Sequence, residues 1–544
     1  MALKDLKKRP NILLLISDQQ TWIQNWDPDW ADENLPAMKK LLQNGLAFNR
    51  AHCNSCTCSP SRTTLFTSTY PAHHKVTQVL GFDDPSDTRQ TMQNILSANY
   101  QNMGKMMEEA GYQVIYKGKW HLTKPTVFLN DAEEDIDHLY WTPADVDHIA
   151  ERYRFKEWTY PDAGDDMSLF NFGGGDINND GRFIDGHGQS ALYGEKIPLE
   201  ERKKASAVEF LRNYDKNEDP FFMVVSLVNP HDVLSYPGLV PGRFQDGPLY
   251  QQGGYKDEDF EDIPVKLPLT LNEDLSTKPY VQTAFKELCQ ANGPIQDEER
   301  ARKYVQFYAY LTSQVDKELN KVLMALDNNQ LTEDTLIVRV SDHGDMSMAH
   351  GMQRQKMYNV YRQTLNVPMI FSNPVAFKGG ETTESLSGLI DVMPTLANIV
   401  GIEPQNMTLQ GKDLTPILVN PDAEVQEYVH FTYDDMYLTL PDPASMGPAH
   451  IRCIVSKEWK YAVYFDPHYG QKAQYEMYDL VNDKLEQFNL AHEKYSKGHE
   501  AKRQELHDKL TEVMIEKGTL PDTVIWPKVS GFDVTATQSD AGSL

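Results

Sequence analysis

Hydrophobic runs of strand length alternate with segments of helical periodicity along most of the chain. The runs are short and almost continuously apolar, as expected for strands that are buried on both faces; they cover residues 11–17, 112–116, 221–228 and 335–341. Residues 102–110 and about 299–326 carry apolar side chains at helical spacing instead. This alternation predicts an α/β domain with a mostly parallel sheet flanked by helices.

Proline and glycine mark several element boundaries. Pro36 opens a predicted helix that stops at Gly45, and Gly111 separates the helix over 102–110 from the strand that follows. Residues 238–294 are rich in proline, glycine and acidic side chains. We expect this stretch to form insertion loops over the core.

The pattern changes near residue 420. Residues 451–455 and 459–464 read as short strands, and residues 500–517 as a helix whose apolar stripe is Leu506, Leu510, Val513 and Met514. We therefore predict a catalytic α/β domain over 1–420 and a smaller α+β subdomain over 421–518. The remaining residues, 519–544, form a tail that could wrap a neighbouring subunit and so support a homo-oligomer, or be disordered.

Polar groups with metal-binding or acid–base chemistry follow the apolar runs: Asp18, Gln19, Lys119, His121, His231, Asp342 and His343. Ligands of open α/β sheets bind beyond the carboxyl ends of the strands, so these groups are expected at one edge. Alone, each has an ordinary alternative, such as a helix cap or a solvated lysine. Together, two carboxylates, an amide and an imidazole make a divalent-metal shell, and two lysines, two histidines and an arginine make an anion cradle.

Composition and charge narrow the function classes. The chain of 544 residues is 40% hydrophobic and has a formal net charge of -27. Nucleic acids and anionic membranes need a basic face, so neither is expected as a partner. An anionic substrate would have to be attracted by local cations.

The length of the first apolar run and the number of cysteines bear on cellular location and on disulfide or metal chemistry. The apolar run over residues 12–16 is too short for a signal peptide or a membrane span, so a cytoplasmic location is expected. Five cysteines in a chain of this length do not make a disulfide framework. Cys53 and Cys56 have the spacing of half a zinc site, but no second half accompanies them.

The segment that begins at Cys58 carries the candidate nucleophile. Pro60 suits the first turn of a helix, which places Cys58 at the helix N-terminus, where backbone N–H groups favour an anion. Arg62 follows one turn later and can point at the same anion. The alternative is a buried cysteine before an ordinary helix.

The order Cys58-x-Pro60-x-Arg62 resembles the signature of type I, formylglycine-dependent sulfatases of the alkaline phosphatase superfamily. Further segments resemble that family in the same order: GKWHL at 118–122, NPHD at 229–232, SDHGD at 341–345, Lys356, and the segment 476–491. The resemblance implies an alkaline-phosphatase-like fold with a mostly parallel sheet flanked by helices and a smaller C-terminal α+β subdomain.

The resemblance also implies a function. The chain would be a sulfuric ester hydrolase, arylsulfatase-like, that cleaves a sulfate monoester. Its nucleophile would be the hydrate of formylglycine (3-oxoalanine), made from Cys58 by a formylglycine-generating enzyme. The substrate would be a small anionic sulfate ester, and the cofactor one divalent cation.

Residue roles follow from the same resemblance. Metal ligands would be Asp18, Gln19, Asp342, His343 and an oxygen of modified Cys58. Arg62 would stabilise the hydrate, and Lys119 and Lys356 would bind the sulfate oxygens. His231 or Lys356 would protonate the leaving oxygen, and His121 would deprotonate the second hydroxyl of the hydrate so that sulfate is expelled.

Two positions depart from the common pattern of the family. Gln19 and His343 stand where many sulfatases carry Asp and Asn. The pairs are similar to those of the choline sulfatase and phosphonate monoester hydrolase branches, so a phosphonate monoester or phosphodiester hydrolase that uses the same site is the alternative function. An imidazole in the shell admits manganese beside calcium. A non-catalytic anion-binding protein on this fold is a third hypothesis, which the complete set of chemical groups disfavours.

Two sequence features remain open. Asp176-x-Asn178-x-Asp180 matches the front of a calcium-binding loop, but its twelfth position is His187 where a bidentate glutamate is needed, so a turn is favoured. Several aromatic residues could line a pocket for the leaving group or belong to the core: Trp22, Trp26, Trp30, Trp120, Tyr140 and Trp141.

Overall fold

The computed structural model describes residues 6, 8–23, 25–81, 93–125, 141–160, 162, 177, 180–186, 191–192, 195–196, 198–238, 248–290, 293–402, 408–435, 446–467, 470–521 and 526–527. Fifteen strands lie in these residues: β1 (Asn11–Asp18), β2 (Gly45–Phe48), β3 (Ala51–His52), β4 (Gln113–Gly118), β5 (Ala191–Leu192), β6 (Glu195–Lys196), β7 (Phe221–Pro230), β8 (Thr335–Ser341), β9 (Met369–Ser372), β10 (Glu381–Thr383), β11 (Ser387–Gly388), β12 (Val429–Tyr433), β13 (His450–Val455), β14 (Trp459–Phe465) and β15 (Gln474–Asp479).

Seventeen α-helices lie in the same part of the chain: α1 (Pro28–Asn34), α2 (Pro36–Gln43), α3 (Cys58–Thr67), α4 (Pro71–His74), α5 (Met103–Glu109), α6 (Pro143–Arg152), α7 (Gly181–Ile184), α8 (Leu199–Ala205), α9 (Ala207–Asn213), α10 (Leu249–Gln252), α11 (Tyr280–Gln290), α12 (Glu298–Asn328), α13 (Ala349–Met352), α14 (Arg362–Leu365), α15 (Val392–Val400), α16 (Thr415–Val419) and α17 (Glu500–Lys517). Single 3₁₀ turns cover His231–Ser235, Asp257–Asp259, Leu275–Thr277 and Leu389–Asp391.

A seven-stranded mixed sheet forms the centre of the large domain, in the order β10-β2-β9-β8-β1-β7-β4. The four strands β8, β1, β7 and β4 run parallel to one another, whereas β9 runs antiparallel to both of its neighbours. The prediction of a mostly parallel sheet flanked by helices is confirmed.

The apolar run of β1 is explained by its place in the middle of this sheet. All eight of its residues are buried. Ile12, Leu14 and Ile16 face one hydrophobic cluster, and Leu13 and Leu15 face the other, because successive strand side chains point to opposite faces. Helix α3 packs on the first face and the long helix α12 on the second. A strand covered on both sides has no polar face, which is why it reads as a continuous apolar run.

The C-terminal part is an antiparallel sheet in the order β12-β13-β14-β15, with α17 packed on one face. Leu506, Leu510 and Met514 of α17 are buried, and Val513 is partly buried. The predicted α+β character of this region is confirmed. Of the predicted tail, only residues 519–521, Trp526 and Pro527 belong to the described residues, so its role stays a prediction.

Element ends agree closely with the sequence patterns, except in one region. The four predicted core strands and the helices over 299–326 and 500–517 are all present. The prediction of loops over 238–294 is wrong in part, because α11 is a helix of 11 residues whose Val281 and Phe285 join the core. The neighbouring prolines and acidic residues concealed its helical spacing.

A helix that crosses a bilayer must be long and predominantly apolar, and the described helices of this chain differ from that pattern. Among the described residues, none of them combines the length and the apolar composition that crossing a membrane needs.

Candidate active site

The carboxyl ends of β1, β7 and β8 lie side by side at one edge of the sheet. Asp18 is the last residue of β1 and pairs in register with Pro230 of β7, which His231 follows. Ser17 pairs with Ser341, the last residue of β8. Asp342 and His343 therefore emerge beside Asp18, as expected for parallel strands of matched length.

Four candidate ligand groups converge at this edge. One atom each from Asp18, Cys58, Asp342 and His343 lies within 4.8 Å of the other three, and all four side chains are buried. The Cys58 Sγ atom lies 3.2 Å from His343 Nε2 and 3.7 Å from Asp18 Oδ1. Two carboxylates, an imidazole and a thiol in one buried cluster are a donor set for a divalent cation.

Helix α3 presents Cys58 from its first turn although the helix is polar and wholly buried. Its threonines satisfy their hydroxyl groups within the helix: Thr63, Thr64 and Thr67 each donate to the carbonyl four residues earlier, at 2.7, 2.9 and 2.7 Å. Back-bonding of this kind removes the cost of burying the hydroxyl groups. A polar helix can thus lie between the sheet and the elements that cover it.

The thiol of Cys58 is a weak nucleophile in this environment. Burial and the negative charge of Asp18 raise its pKa, and the cations Lys356, Lys119 and Arg62 offset only part of that rise. The reactive form of a cysteine is the thiolate. An unmodified Cys58 is therefore held in its unreactive form.

The two aspartates at the strand ends differ in their acidity. Burial alone would raise the pKa of Asp18, but the positive charges of Lys119 and Lys356 hold it well below the usual range. Lys119 Nζ lies 2.8 Å from Asp18 Oδ2. Burial and the charge of Asp18 raise the pKa of Asp342. Asp18 is thus the more acidic member of the pair, and a further cation beside Asp342 would offset the rise in its pKa.

Gln19 follows Asp18 with a left-handed backbone, at φ 69°. Its side-chain nitrogen donates to Asp345 Oδ2 at 2.7 Å, and its side-chain oxygen accepts a hydrogen bond from Lys356 Nζ. Its backbone carbonyl accepts from the Tyr308 hydroxyl at 2.7 Å. The residue is therefore held from three sides at the rim of the cluster.

Arg62 connects the nucleophile helix to three other elements. Its guanidinium donates to Asp342 Oδ2 at 3.3 Å, to the Tyr116 hydroxyl at 3.1 Å and to the hydroxyl oxygen of Ser226. It also donates to the carbonyl of Lys119 at 2.5 Å. Most of its donors thus bind protein groups, and its positive charge lies against the cluster of carboxylates.

Hydrogen bonds between two side chains and its backbone fix the loop after β4. Arg62 binds the carbonyls of Lys119 and Trp120, while the carboxylate of Asp162 accepts the amide N–H groups of Trp120 and His121 at 2.7 and 2.5 Å. His121 adopts a left-handed backbone at φ 52°, and its Nε2 lies 2.8 Å from the carbonyl of Leu80. These contacts fix the direction in which Lys119 and His121 project.

Both candidate acid–base histidines are buried and neutral. Burial and the charge of Lys119 lower the pKa of His121 well below its usual range. Burial, Lys356 and Lys119 do the same for the pKa of His231. His231 Nδ1 has no hydrogen-bond partner among the described residues. Neutral imidazoles can accept a proton, and can donate one only after they have gained it.

Residues of the C-terminal subdomain reach the segment before Cys58. Ser55 forms a parallel bridge with Thr432 of β12, and the carboxylate of Asp435 accepts the Thr57 hydroxyl at 2.6 Å. The same carboxylate accepts the amide N–H of Val79 at 2.8 Å. The subdomain therefore supports the position of the candidate nucleophile directly.

The remaining sequence candidates lie elsewhere. Trp26, Trp120 and Trp141 are core residues, and Trp22 and Trp30 pack against the core, while Tyr140 lies outside the described residues. Asp176 and Asn178 of the calcium-like motif also lie outside them. Asp180 accepts hydrogen bonds from the amide N–H groups of Val228 and Asn229, so its carboxylate stabilises the end of β7.

Three carboxylates at the site were not assigned roles from the sequence: Asp162, Asp345 and Asp435. Asp345 lies inside the SDHGD segment, three residues after Asp342, and this spacing was a usable signal. Asp162 and Asp435 lie in no recognisable motif, and only the folded chain brings them to the site.

Comparison with known proteins places the chain among sulfatases. A family described as Sulfatase matches residues 10–402, and a second, described as N-sulphoglucosamine sulphohydrolase, C-terminal, matches residues 350–516. A choline-sulfatase of Rhizobium meliloti is 24% identical over 494 residues, which cover 89% of this chain and 82% of that protein. A delta 4,5-hexuronate-2-O-sulfatase of Bacteroides thetaiotaomicron is 25% identical over 512 residues, with 91% and 88% covered.

A solved structure of related architecture extends the comparison. The phosphonate monoester hydrolase of Agrobacterium radiobacter superposes with a TM-score of 0.61 and 19% identity, and the match covers 96% of this chain and 98% of that one. Similarity at this level of identity establishes the fold.

Proposed function

The chain belongs to the sulfatase family and is a sulfuric ester hydrolase; we propose that it cleaves a sulfate monoester through formylglycine formed from Cys58 and one divalent cation. The observation that carries this proposal is the convergence of Asp18, Cys58, Asp342 and His343 within 4.8 Å at the N-terminus of a buried helix. Conversion of Cys58 to formylglycine would account for a thiol with a raised pKa among two carboxylates and an imidazole, since it replaces the thiol by oxygen groups.

The donor set fits a divalent cation. Asp342 has a raised pKa because it lies beside Asp18 in a buried site, and a bound cation would remove the cause of that rise. Asp18, Asp342, His343 and the side-chain oxygen of Gln19 would hold the ion, together with an oxygen of modified Cys58. Oxygen ligands favour calcium, and the imidazole admits manganese.

Formylglycine in its hydrated form would supply a hydroxyl nucleophile for sulfur, and the cation would supply charge neutralisation. A thiol in the same place would be poorer, because its raised pKa holds it protonated. The helix N-terminus at Cys58 directs backbone N–H groups toward the charge that develops there.

The cations around the cluster suit a sulfate group. Lys119 and Lys356 bring two buried ammonium groups to one site, and in our proposal they bind the sulfate oxygens. Lys119 is held by Asp18 and Lys356 by the side-chain oxygen of Gln19, so both are oriented before substrate binds. Orientation in advance lowers the cost of stabilising charge in the transition state.

Two neutral histidines are available for proton transfer. His231 has an unpartnered Nδ1 among the described residues, and its pKa is lowered by burial and by Lys356 and Lys119; a bound sulfate group would offset the two lysine charges, so that the ring could take up the proton that it donates to the leaving oxygen. His121 is oriented through its backbone by Asp162, and its lowered pKa suits the acceptance of a proton from the nucleophile during release of sulfate. These roles are supported by the burial and the charges around each ring.

A phosphonate monoester hydrolase is the second candidate function. The observation that favours it is the presence of Gln19 and His343 at the site, together with the fold shared with a known phosphonate monoester hydrolase. Relative kcat/KM values for matched aryl sulfate and aryl phosphonate esters separate the two candidates. A higher value for the sulfate supports the preferred function, and a higher value for the phosphonate supports the second.

Domain organisation and maturation complete the proposal. We assign catalysis to residues 1–420 and support of the nucleophile segment to residues 421–518, since Thr432 and Asp435 contact that segment. A formylglycine-generating enzyme is the expected maturation partner.

The mass of the peptide that contains Cys58 tests the proposal directly. Conversion to formylglycine replaces sulfur and two hydrogens by one oxygen, and an aldehyde-reactive hydrazide should label the same peptide. Cys53 and Cys56 lie on the same tryptic peptide, residues 51–62, so fragment ions assign the change to Cys58 and the two unmodified cysteines are the internal control. Fully active protein that carries only the thiol at Cys58 would overturn the proposal.

A further inference from the structure

Asp345 is a buried carboxylate that receives hydrogen bonds from several donors at once. Its Oδ1 accepts the amide N–H of Ser347 at 2.7 Å, and its Oδ2 accepts the amide N–H of Gln355 at 3.1 Å. The Tyr304 hydroxyl lies 3.2 Å from both oxygens. Two backbone N–H groups therefore fix the carboxylate in place before any side chain is considered.

The remaining donor to Asp345 is the side chain of Gln19. Its Nε2 lies 2.7 Å from Asp345 Oδ2 and 3.3 Å from Gln355 Oε1, and its Oε1 accepts from Lys356 Nζ. Rotation of the amide by half a turn would place an oxygen against the carboxylate and an NH₂ group against the ammonium. Both contacts would be repulsive, so the neighbours select one orientation of the amide.

We propose that Asp345 is a positioning residue that orients the Gln19 amide so that its oxygen faces Lys356 and would be available to the divalent cation. Asp345 itself is not a ligand in this account and acts through Gln19 alone. The inference rests on the cation site of the proposed function.

A substitution by asparagine distinguishes this role from simple filling of space. Each oxygen of Asp345 receives a backbone N–H, from Ser347 on one side and Gln355 on the other. Either placement of an asparagine amide therefore sets its NH₂ group against an N–H that cannot accept. With its NH₂ group at the Oδ2 position the asparagine faces Gln19 Nε2, which favours rotation of the Gln19 amide. With its NH₂ group at the Oδ1 position it still offers an oxygen to Gln19 Nε2, so a variant that lacks this oxygen is measured beside D345N.

The test is a double-mutant cycle read out as cation affinity. Calcium and manganese are titrated by calorimetry into wild-type protein, D345N, Q19A and the double variant, each checked for folding by thermal unfolding. Groups that orient metal ligands typically change affinity by about tenfold or more. We expect D345N to weaken binding by about tenfold in the wild-type background and by less than about twofold in the Q19A background.

Y304F is the matched control. It removes a donor to Asp345 that does not contact Gln19, so cation affinity should stay within about twofold of wild type. D345S and the D345S/Q19A double variant are titrated in the same way, because serine removes the carboxylate without adding an NH₂ group and leaves no carboxamide oxygen for Gln19 Nε2.

The outcomes separate this inference from the proposed function. Equal weakening by D345S in the wild-type and Q19A backgrounds, or none in either, would overturn the role of Asp345 while leaving the cation site intact. Failure of wild-type protein to bind either cation would overturn the cation site itself, and with it the inference.

Discussion

The ammonium group of Lys119 lies 2.8 Å from Oδ2 of Asp18, and neither side chain is accessible to solvent. This ion pair joins the loop after β4 to the end of β1, across the intervening strand β7. Its two members belong to different parts of the proposed chemistry, since Asp18 would hold the cation and Lys119 the sulfate. The pair therefore couples the stability of the fold to the charge of the site.

Replacing Lys119 by methionine should destabilise the cation-free protein by about 3–5 kcal/mol, because it leaves a buried carboxylate without its partner. Added calcium should restore part of that loss, since the cation neutralises the same carboxylate. Denaturant unfolding with and without calcium measures both effects. The exposed Arg212–Glu209 pair supplies the control, and R212M should cost no more than about 0.5 kcal/mol. An equal loss for K119M with and without calcium would count against cation binding at Asp18.

Replacing Cys58 by alanine should abolish hydrolysis of an aryl sulfate while leaving the thermal unfolding temperature close to that of wild type. The reason is that the side chain supplies the nucleophile and contributes little apolar contact. Steady-state kcat/KM measures the effect. C53A is the control, because Cys53 is equally buried in the same segment, and it should keep activity within about threefold. Activity that survives in C58A would support a role other than catalysis by this residue.

Replacing His121 and replacing His231 by alanine should block turnover at different steps. H121A should release about one equivalent of the leaving alcohol per enzyme molecule and then turn over slowly, because His121 is proposed to act during the release of sulfate. H231A should show no such burst, since its proposed role comes earlier, at the leaving oxygen. Rapid-quench measurement of the alcohol distinguishes the two variants. A burst in H231A and none in H121A would reverse the assignment.

The stability of the fold should fall at mildly acidic pH, in part through His430. Burial lowers the pKa of His430 to about 3, and its two ring nitrogens contact the carbonyl of Cys453 at 2.8 Å and the hydroxyl of Thr519 at 2.9 Å. The unfolded chain binds a proton below about pH 6.5, so the contribution of His430 is complete above that pH. It is lost progressively as the pH falls toward 3.

The variant H430N isolates this contribution. Relative to H430N, wild-type protein should lose up to about 1.4 kcal/mol of unfolding free energy per pH unit between about pH 6 and pH 4. Denaturant unfolding at several pH values gives the two curves. Parallel curves would mean that folding does not lower the pKa of His430.

The sequence predicted the strands, and therefore the edge at which the chemistry lies, because buried parallel strands leave a strong apolar signal. Asp18, Asp342 and His343 were found since each directly follows such a run. Asp162 and Asp435 could not be found this way, because they act on backbone N–H groups and hydroxyls of distant segments. The orientation of Gln19 was equally inaccessible, since it depends on partners more than 300 positions away in the chain.

The contact between Asp435 and Thr57 can form only late in the synthesis of the chain. Cys58 is 1% exposed in the finished fold, and its segment is closed in part by residues that leave the ribosome about 380 positions later. At synthesis rates of about 5–20 residues per second, that delay lasts roughly 20–80 s. During this interval the thiol is not yet enclosed by these residues, so it is open to a modifying enzyme until the fold closes over it.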